Sequence, residues 1–410
     1  MVKMNAKFRG AHDLNCDRVS GGIAVKMVFS QVMERVPHWE FQRLERVHGR
    51  GDGRRQFSAW DHFLALAFTQ MTFRESLRDI EACLSTQPGM SYHLGFRTRI
   101  TRSTLARANE QREWPLFAAL AHKLIDRARR LYRDEPNALD LDAPVYAVDS
   151  TLIDLSLALC PWANWTGTDA AVRLHTALDL RGPLPAFVAV SPAAYGDMVW
   201  LDELPIEAGS YYVMDRGYID LRRLRRIAQA GAFFVIRDRP DVRYYVAASR
   251  PVDRTTSLRS DQSIRLNGWE ATRHWPDLLR RISLFDTEHS RRLAFWTNQW
   301  TLPAATIAEL YRHRWKIELL FRWVKHGLRI RTFYGTSPNA IRVQLWSAIC
   351  TYLAIAITRK QLGLITNLTT FVQVLPVHAL SKAPISKLFT NIYTSDTPFY
   401  KSNQLTFSDL

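Results

Sequence analysis

The sequence predicts an α/β protein whose sheet region contains a β-rich insertion and is flanked by helical regions. Three observations support this prediction: helical apolar periods over 27–134, strand-like runs from Leu141 onwards, and helical patterns again after Gly335. We expect six consecutive segments: a basic, flexible arm at 1–25, a helical domain at 26–138, the first part of an α/β core at 139–238, the β-rich insertion at 239–300, a core helix at 301–335 and a helical C-terminal region at 336–410.

The charge balance indicates a polyanionic partner. The chain has 410 residues, with 55 Lys and Arg against 39 Asp and Glu, and a formal net charge of +16. Such an excess favours nucleic acid, and a membrane surface is the weaker alternative. The longest apolar run, 345–358, is too short for a membrane span, which needs about 20 residues, and no apolar signal core is present at the N-terminus. We therefore expect cytoplasmic residence and no membrane association. The cysteines are widely spaced and are predicted to be reduced: Cys16, Cys83, Cys160 and Cys350.

The helical domain contains recognisable helix starts. Ser58 is a predicted N-cap for FSAWDHFLALAF, and Thr72 with Glu75 fits a capping box for TFRESLRDIEACL. A further helix is expected to begin near Ser103. Short helices followed by a basic one suggest a helix-turn-helix-like DNA-binding unit, although a solvated charged face explains the same pattern. The basic residues of that last helix are Arg102, Arg107 and Arg112.

The core segment predicts strand, strand, strand, short helix, strand, helix, strand, with Gly231 closing the second helix. Two of its strands, VYAVDS and YYVMDRGYI, are predicted to end in Asp149 and Asp215. In open α/β sheets the carboxyl ends of strands face the ligand crevice, so these carboxylates can meet if their strands are neighbours. A turn or cap role for each aspartate is the alternative.

The insertion has short alternating strands, YYVAAS, SIRLNGW, RRISLFD and RRLAFWTN. It also contains three tryptophans, Trp269, Trp275 and Trp296, which either pack the insertion or face a ligand. Its arginines indicate a basic surface: Arg239, Arg243, Arg250, Arg254, Arg259, Arg265, Arg273, Arg280, Arg281, Arg291 and Arg292.

The segment 311–325, YRHRWKIELLFRWVK, reads as one helix. On an ideal helix Tyr311, Arg314, Glu318 and Lys325 fall within an arc of roughly 60°, beside a separate apolar face. An ordinary salt-bridged surface is the alternative, because Arg314 and Glu318 form an i,i+4 pair. If Glu318 joins the two aspartates, three carboxylates share one site and need a cationic partner. Mg²⁺ fits such oxygen ligands, and a pair of these ions about 4 Å apart supports phosphoryl transfer.

These motifs together resemble those of the bacterial insertion-sequence transposases of the DDE type, in the subgroup with a Y-x2-R-x3-E-x6-K signature. Tyr311, Arg314, Glu318 and Lys325 match that signature at every spacing. VDST at 148–151 and MDRGY at 214–218 look like the family's two aspartate motifs, and the insertion and the helical domain are similar as well. The resemblance covers about 27–390.

The resemblance implies a ribonuclease-H-like core in which Asp149, Asp215 and Glu318 bind Mg²⁺, with Mn²⁺ as a substitute. It implies a transposase that cleaves the ends of a mobile element in double-stranded DNA and joins the 3′-hydroxyls to target DNA, as a homodimer or larger synaptic complex at the bacterial nucleoid. It assigns Tyr311, Arg314 and Lys325 to the DNA backbone. For Trp296 we expect stacking on a displaced base. A non-catalytic DNA-binding derivative and a stand-alone nuclease are the alternatives.

Overall fold

The computed structural model describes residues 25–49, 57–86, 89–135, 141–182, 184–253, 255–287, 289–327 and 333–389. The arm predicted at 1–25 lies outside this part of the chain except for its last residue, and so does the C-terminal region after Phe389. Cys83, Cys160 and Cys350 are free, as predicted, whereas Cys16 lies outside the described residues.

The N-terminal part of the described chain is helical. Its helices are α1 (Val28–Met33), α2 (His38–His48), α3 (Ala59–Thr72), α4 (Leu77–Ser85), α5 (Met90–His93), α6 (Arg102–Gln111) and α7 (Trp114–Leu131).

One predicted helix start is confirmed and one is wrong. Ser58 caps α3, and its side chain and that of Asp61 form a reciprocal capping box. The predicted box of Thr72 and Glu75 does not form, because Thr72 is still inside α3 and its hydroxyl donates to the Phe68 carbonyl. The next helix begins later, with Ser76 as its N-cap. A capping-box pattern fits a helix start at Thr72 as well as one at Ser76. The length of the preceding helix decides between the two.

The core strands occur in the predicted order. They are β1 (Val145–Leu155), β2 (Ala170–Asp179), β3 (Leu184–Pro192), β4 (Tyr211–Met214) and β5 (Phe233–Arg237), with α8 (Asp197–Glu203) before β4 and α9 (Leu221–Gln229) before β5. β2 runs antiparallel to both β1 and β3, whereas β4 is parallel to β1 and to β5.

The insertion has the four predicted strands but is not a separate sheet. Its elements are β6 (Tyr244–Arg250), β7 (Leu258–Leu266), α10 (Trp269–His274), β8 (Leu279–Asp286) and β9 (Arg291–Thr297). β9 pairs antiparallel with β5, placing Val235 opposite Thr297. The result is one nine-stranded sheet in the order β3-β2-β1-β4-β5-β9-β8-β7-β6. Because β9 pairs with β5, the backbone groups of β5 have partners on both sides. An isolated insertion would leave one edge of β5 unpaired.

The prediction of one helix over 311–325 is wrong in detail. The chain forms α11 (Ala304–Arg312), a 3₁₀ turn (His313–Trp315) and α12 (Lys316–Gly327). Tyr311 therefore belongs to α11, Arg314 to the turn and Glu318 to the first turn of α12. Periods of 3.0 and 3.6 residues differ too little over three residues for a sequence pattern to separate them. The predicted apolar face is buried at Leu310, Ile317, Leu320, Phe321 and Val324.

The C-terminal helices are α13 (Pro338–Gln361), α14 (Leu368–Val374) and α15 (Ile385–Leu388). By length and composition α13 could cross a membrane, so the judgement that its apolar run is too short is wrong; the helix extends to 24 residues. Nearly all of that stretch is buried, and α13 packs against α3 and α7. The hydroxyls of Thr351 and Thr358 donate to carbonyls one turn back, which satisfies them inside the core.

The sheet is covered on both faces. Residues of odd number in β1 and β4, such as Val145 and Val213, pack in one apolar cluster with α7 and α13. Residues of even number, such as Tyr146 and Tyr212, pack in a second cluster with α8 and α9. This alternation decides which side chains of β1 and β4 reach the site described next.

Candidate active site

Asp149 and Asp215 lie side by side, as predicted for neighbouring strands. β1 and β4 are parallel, and Val148 lies opposite Met214, directly before the two aspartates. Asp215 follows the end of β4, but Asp149 does not end its strand, because β1 continues to Leu155 along β2. The two aspartates therefore follow paired residues of parallel strands, one within β1 and one just beyond the end of β4.

Glu318 reaches the same place from α12, which packs on β1. The guanidinium of Arg314 lies between two carboxylates: Nη1 donates to Asp149 Oδ2 at 3.0 Å, and Nη2 donates to Glu318 Oε1 at 2.9 Å. The predicted i,i+4 pair therefore exists, but Arg314 also contacts a strand residue 165 positions earlier in the chain.

Tyr311 hydrogen-bonds the third carboxylate, that of Asp215. Its hydroxyl donates to Asp215 Oδ1 at 3.0 Å, and its ring lies 5.7 Å from the Arg314 guanidinium carbon. The same ring packs on Phe295 of β9 with centroids 4.5 Å apart. The last strand of the insertion thus supports a side chain of the site.

The electrostatics of the site follow from burial and from nearby arginines. Burial raises the pKa of Asp149 to about 6, and the charges of Asp215 and Glu318 add to this, while the Ser150 N–H and Arg314 oppose it. Burial also disfavours ionisation of Asp215, but the Arg216 N–H, Arg314 and Tyr311 outweigh it and lower its pKa. The charges of two guanidinium groups, Arg314 and Arg237, act on a site with three carboxylates, so the site favours further positive charge.

The donor chemistry of this site suits a hard divalent cation, which prefers carboxylate oxygens. Among the described residues, however, no three His, Cys, Asp or Glu side chains already converge as a metal-ligand set. Arg314 lies between Asp149 and Glu318 and uses an oxygen of each. The residues fit a metal by type and charge, with Arg314 as a competing cation.

A polar network on the other face of β1 was not predicted. Ser150 Oγ donates to Asp197 Oδ1 at 2.5 Å, and Arg173 Nη1 donates to the same carboxylate at 3.2 Å. Because side chains alternate along a strand, Ser150 points to the face of the sheet opposite Asp149. Its network therefore stabilises β1 directly next to the candidate site. No sequence signal distinguishes Asp197 from the other aspartates, because its partners lie in β1 and β2, far from it in the chain.

The other predicted DNA-contact residues are solvent-exposed: Lys325 on α12, and Arg102 and Arg107 on α6. Arg112 has a structural role instead, because its guanidinium donates to the carbonyls of Phe57 and Ser58. It joins the end of α6 to the start of α3.

The predicted stacking role of Trp296 is wrong. Its side chain is fully buried on β9, opposite Ile236 of β5, in the apolar cluster that also contains Trp275. The alternation along β9 turns Trp296 towards this cluster, where no base can reach it. Trp269 is 73 % exposed.

Part of the basic surface predicted for the insertion is neutralised within the fold. Arg254 lies outside the described residues. The insertion arginines that form ion pairs with aspartates are Arg239, Arg250, Arg280, Arg281 and Arg291.

Two aspartates on neighbouring parallel strands, with a glutamate on a helix packed beside them, form the arrangement expected of a DDE-type catalytic domain. Residues 140–354 match the family of the transposase DDE domain, and residues 25–97 match a domain of unknown function, DUF4372. The chain belongs to the DDE transposase family.

Relatives of the chain are named as transposases. The chain is 32 % identical over 261 residues to a protein named as putative transposase y4zB of Sinorhizobium fredii, covering 62 % of this chain and 71 % of the relative. It is 28 % identical over 284 residues to a protein named as a probable transposase for insertion sequence element IS5377 of Geobacillus stearothermophilus, covering 67 % and 73 %. The predicted family is confirmed, and the Y-x2-R-x3-E-x6-K subgroup stays a prediction.

Proposed function

We propose that this protein binds the ends of an insertion sequence, cleaves DNA by metal-dependent phosphodiester hydrolysis and joins the 3′-hydroxyl ends to target DNA. The observation that supports the proposal is that Arg314 donates to both Asp149 and Glu318, and that its charge also lowers the pKa of Asp215 on the neighbouring strand. The topology supports a ribonuclease-H-like core, since three antiparallel strands are followed by two strands parallel to the first.

In this proposal Asp149, Asp215 and Glu318 hold Mg²⁺, for which Mn²⁺ substitutes. The bound metal supplies activation of the attacking oxygen and stabilisation of the leaving one. Tyr311 orients the Asp215 carboxylate through its hydrogen bond, and its contact with the DNA backbone stays a prediction. Arg314 and Lys325 neutralise backbone phosphates near the cut, because guanidinium and ammonium groups are the usual phosphate partners.

We infer that double-stranded DNA also contacts the exposed basic residues outside the site. Arg102 and Arg107 on α6 are candidates for end recognition, and the exposed insertion arginines, such as Arg243 and Arg292, are candidates for the wall of a DNA channel. Two ends must be held together for joining, so we propose that two or more copies act in one complex. The site of action is the DNA of a bacterial cytoplasm.

The metal-ligand assignment is tested by Asp215→Ala. We expect cleavage of end DNA in Mg²⁺ to be lost while binding of the same DNA, measured with Mg²⁺ omitted, stays close to that of the parent. Asp154→Ala is the matched control, because Asp154 is an exposed aspartate of β1. Near-normal cleavage by Asp215→Ala would overturn the assignment.

A strand-transfer assay with end DNA, target DNA and Mg²⁺ separates the proposal from its two alternatives. Joined products support a transposase. Cutting without joining identifies a stand-alone nuclease, and binding without cutting identifies a DNA-binding derivative.

A further inference from the structure

Arg314 is the cation that hydrogen-bonds two carboxylates of the candidate site. Its side chain is only 15 % exposed and bridges Asp149, which is 25 % exposed, and Glu318, which is 53 % exposed. Both bonds use carboxylate oxygens of the proposed metal ligands. A guanidinium keeps its charge at any working pH, so it cannot make room for a metal by losing a proton.

A divalent cation and this guanidinium compete for the same site. Two like charges about 4 Å apart repel by several kcal/mol at the effective dielectric of a protein surface. The bridging geometry of Arg314 also occupies Asp149 Oδ2 and Glu318 Oε1. Binding of a metal by these oxygens therefore favours departure of the guanidinium, which then needs another anion.

Arg314 has fewer structural hydrogen bonds than Arg280, the buried arginine of β8. Arg280 is 3 % exposed and donates to both Asp261 oxygens and to the carbonyls of Gln299 and Leu302. Arg314 contacts side chains alone in the bonds described, and its buried Nε–H has no acceptor within the described residues. A long side chain anchored in this way can change partner while its backbone stays in the 3₁₀ turn.

We propose that Arg314 couples metal binding to DNA binding: it competes with the divalent cation for Asp149 and Glu318, and a DNA phosphate at the site withdraws it. DNA then raises the affinity for metal, and metal raises the affinity for DNA by the same factor, because coupling between two ligands is reciprocal. The site thus becomes ready for metal when its substrate arrives. The second half of this proposal rests on the proposed function.

The first test measures Mn²⁺ affinity of the full chain by titration calorimetry without DNA. We expect Arg314→Ala to bind Mn²⁺ at least about tenfold more tightly than the parent, because a neighbouring positive charge is gone. Arg314→Lys keeps the charge and should stay near the parent. Arg312→Ala is the matched control, since Arg312 is an exposed neighbour that pairs with Glu309. Arg314→Gln, of similar length, replaces the alanine variant if that variant does not fold.

The second test repeats the titration with a duplex that ends at the element's own terminus, so that no cleavage step remains. The parent should bind Mn²⁺ more tightly with this duplex than without it, and Arg314→Ala should lose most of that difference. Unchanged or weaker Mn²⁺ binding by Arg314→Ala without DNA overturns the competition. An undiminished DNA effect in Arg314→Ala overturns the coupling. Both readouts are affinities, so they are independent of whether the strand-transfer assay supports a transposase.

Discussion

At the scale of single residues, burial changes the protonation of groups outside the candidate active site, and His62 of α3 is the clearest case. His62 is fully buried, and its Nε2 donates to Asn109 Oδ1 at 2.7 Å. Burial lowers its pKa to about 3, and the nearby charge of Arg112 acts in the same direction. The rings of Phe57 and Phe117 pack around it. The helical region therefore requires a neutral histidine.

This histidine predicts an acid-sensitive contribution to stability. Below the ordinary histidine pKa of 6.5 the unfolded chain takes up a proton that the folded chain refuses until about pH 3. The free energy of unfolding is therefore highest above pH 6.5 and should fall by up to about 1.4 kcal/mol for each pH unit below it. Urea unfolding at pH 7 and pH 4.5 measures the loss.

His62→Gln should remove this component and flatten the dependence between those two pH values. His93→Gln is the control, because His93 is exposed. Identical pH dependence in the parent and in His62→Gln would contradict the assignment.

At the scale of elements, a buried ion pair within the insertion also holds the chain just before α11. Asp261 of β7 accepts from Arg280 of β8 at 2.9 and 2.7 Å. Arg280 also donates to the carbonyls of Gln299 and Leu302, just before α11. The pair thus fixes the start of the segment that carries Tyr311, Arg314 and Glu318.

Asp261→Ala should destabilise the fold strongly, because it leaves the buried guanidinium of Arg280 without its counter-charge. Loss of one partner of a buried pair costs about 3–5 kcal/mol, against less than about 1 kcal/mol for an exposed pair. Asp241→Ala is the matched control, since it breaks the exposed pair with Arg239. Thermal and chemical unfolding of both variants compare the costs, and equal losses would refute the structural role of Asp261.

At the scale of the whole molecule, Lys and Arg outnumber Asp and Glu by 16, so they cannot all form ion pairs within the fold. The exposed excess should make DNA binding depend steeply on salt, with log K falling by about 0.9 per decade of salt for each phosphate neutralised. Fluorescence anisotropy between about 50 and 200 mM salt, a range over which such slopes are resolved, measures the total on a given duplex.

Arg107→Ala should lower that slope by about one unit if Arg107 contacts a phosphate. Arg107→Lys keeps the charge and should keep the slope. A slope that does not respond to Arg107→Ala would place the DNA elsewhere on the surface.

The sequence by itself determined the features that depend on near neighbours in the chain. The order of strands and helices in the core, the cap at Ser58 and the apolar face below Glu318 follow from local period and turn chemistry. The motifs around Asp149 and Asp215, together with the spacing of Tyr311, Arg314, Glu318 and Lys325, were sufficient to predict the family. The position of the two aspartates at predicted strand ends also predicted that they meet if their strands are neighbours.

Only the tertiary structure decided the features that depend on which face of an element meets which partner. Arg314 lies between Asp149 and Glu318, Trp296 faces the core, and β9 joins the insertion to β5. Each of these outcomes brings together residues that are tens to hundreds of positions apart. A sequence pattern indicates whether a side chain is polar or apolar, but it does not identify the residue that the side chain contacts. That contact depends on the packing of the whole sheet, because a shift of one residue in a strand would turn every side chain to the opposite face.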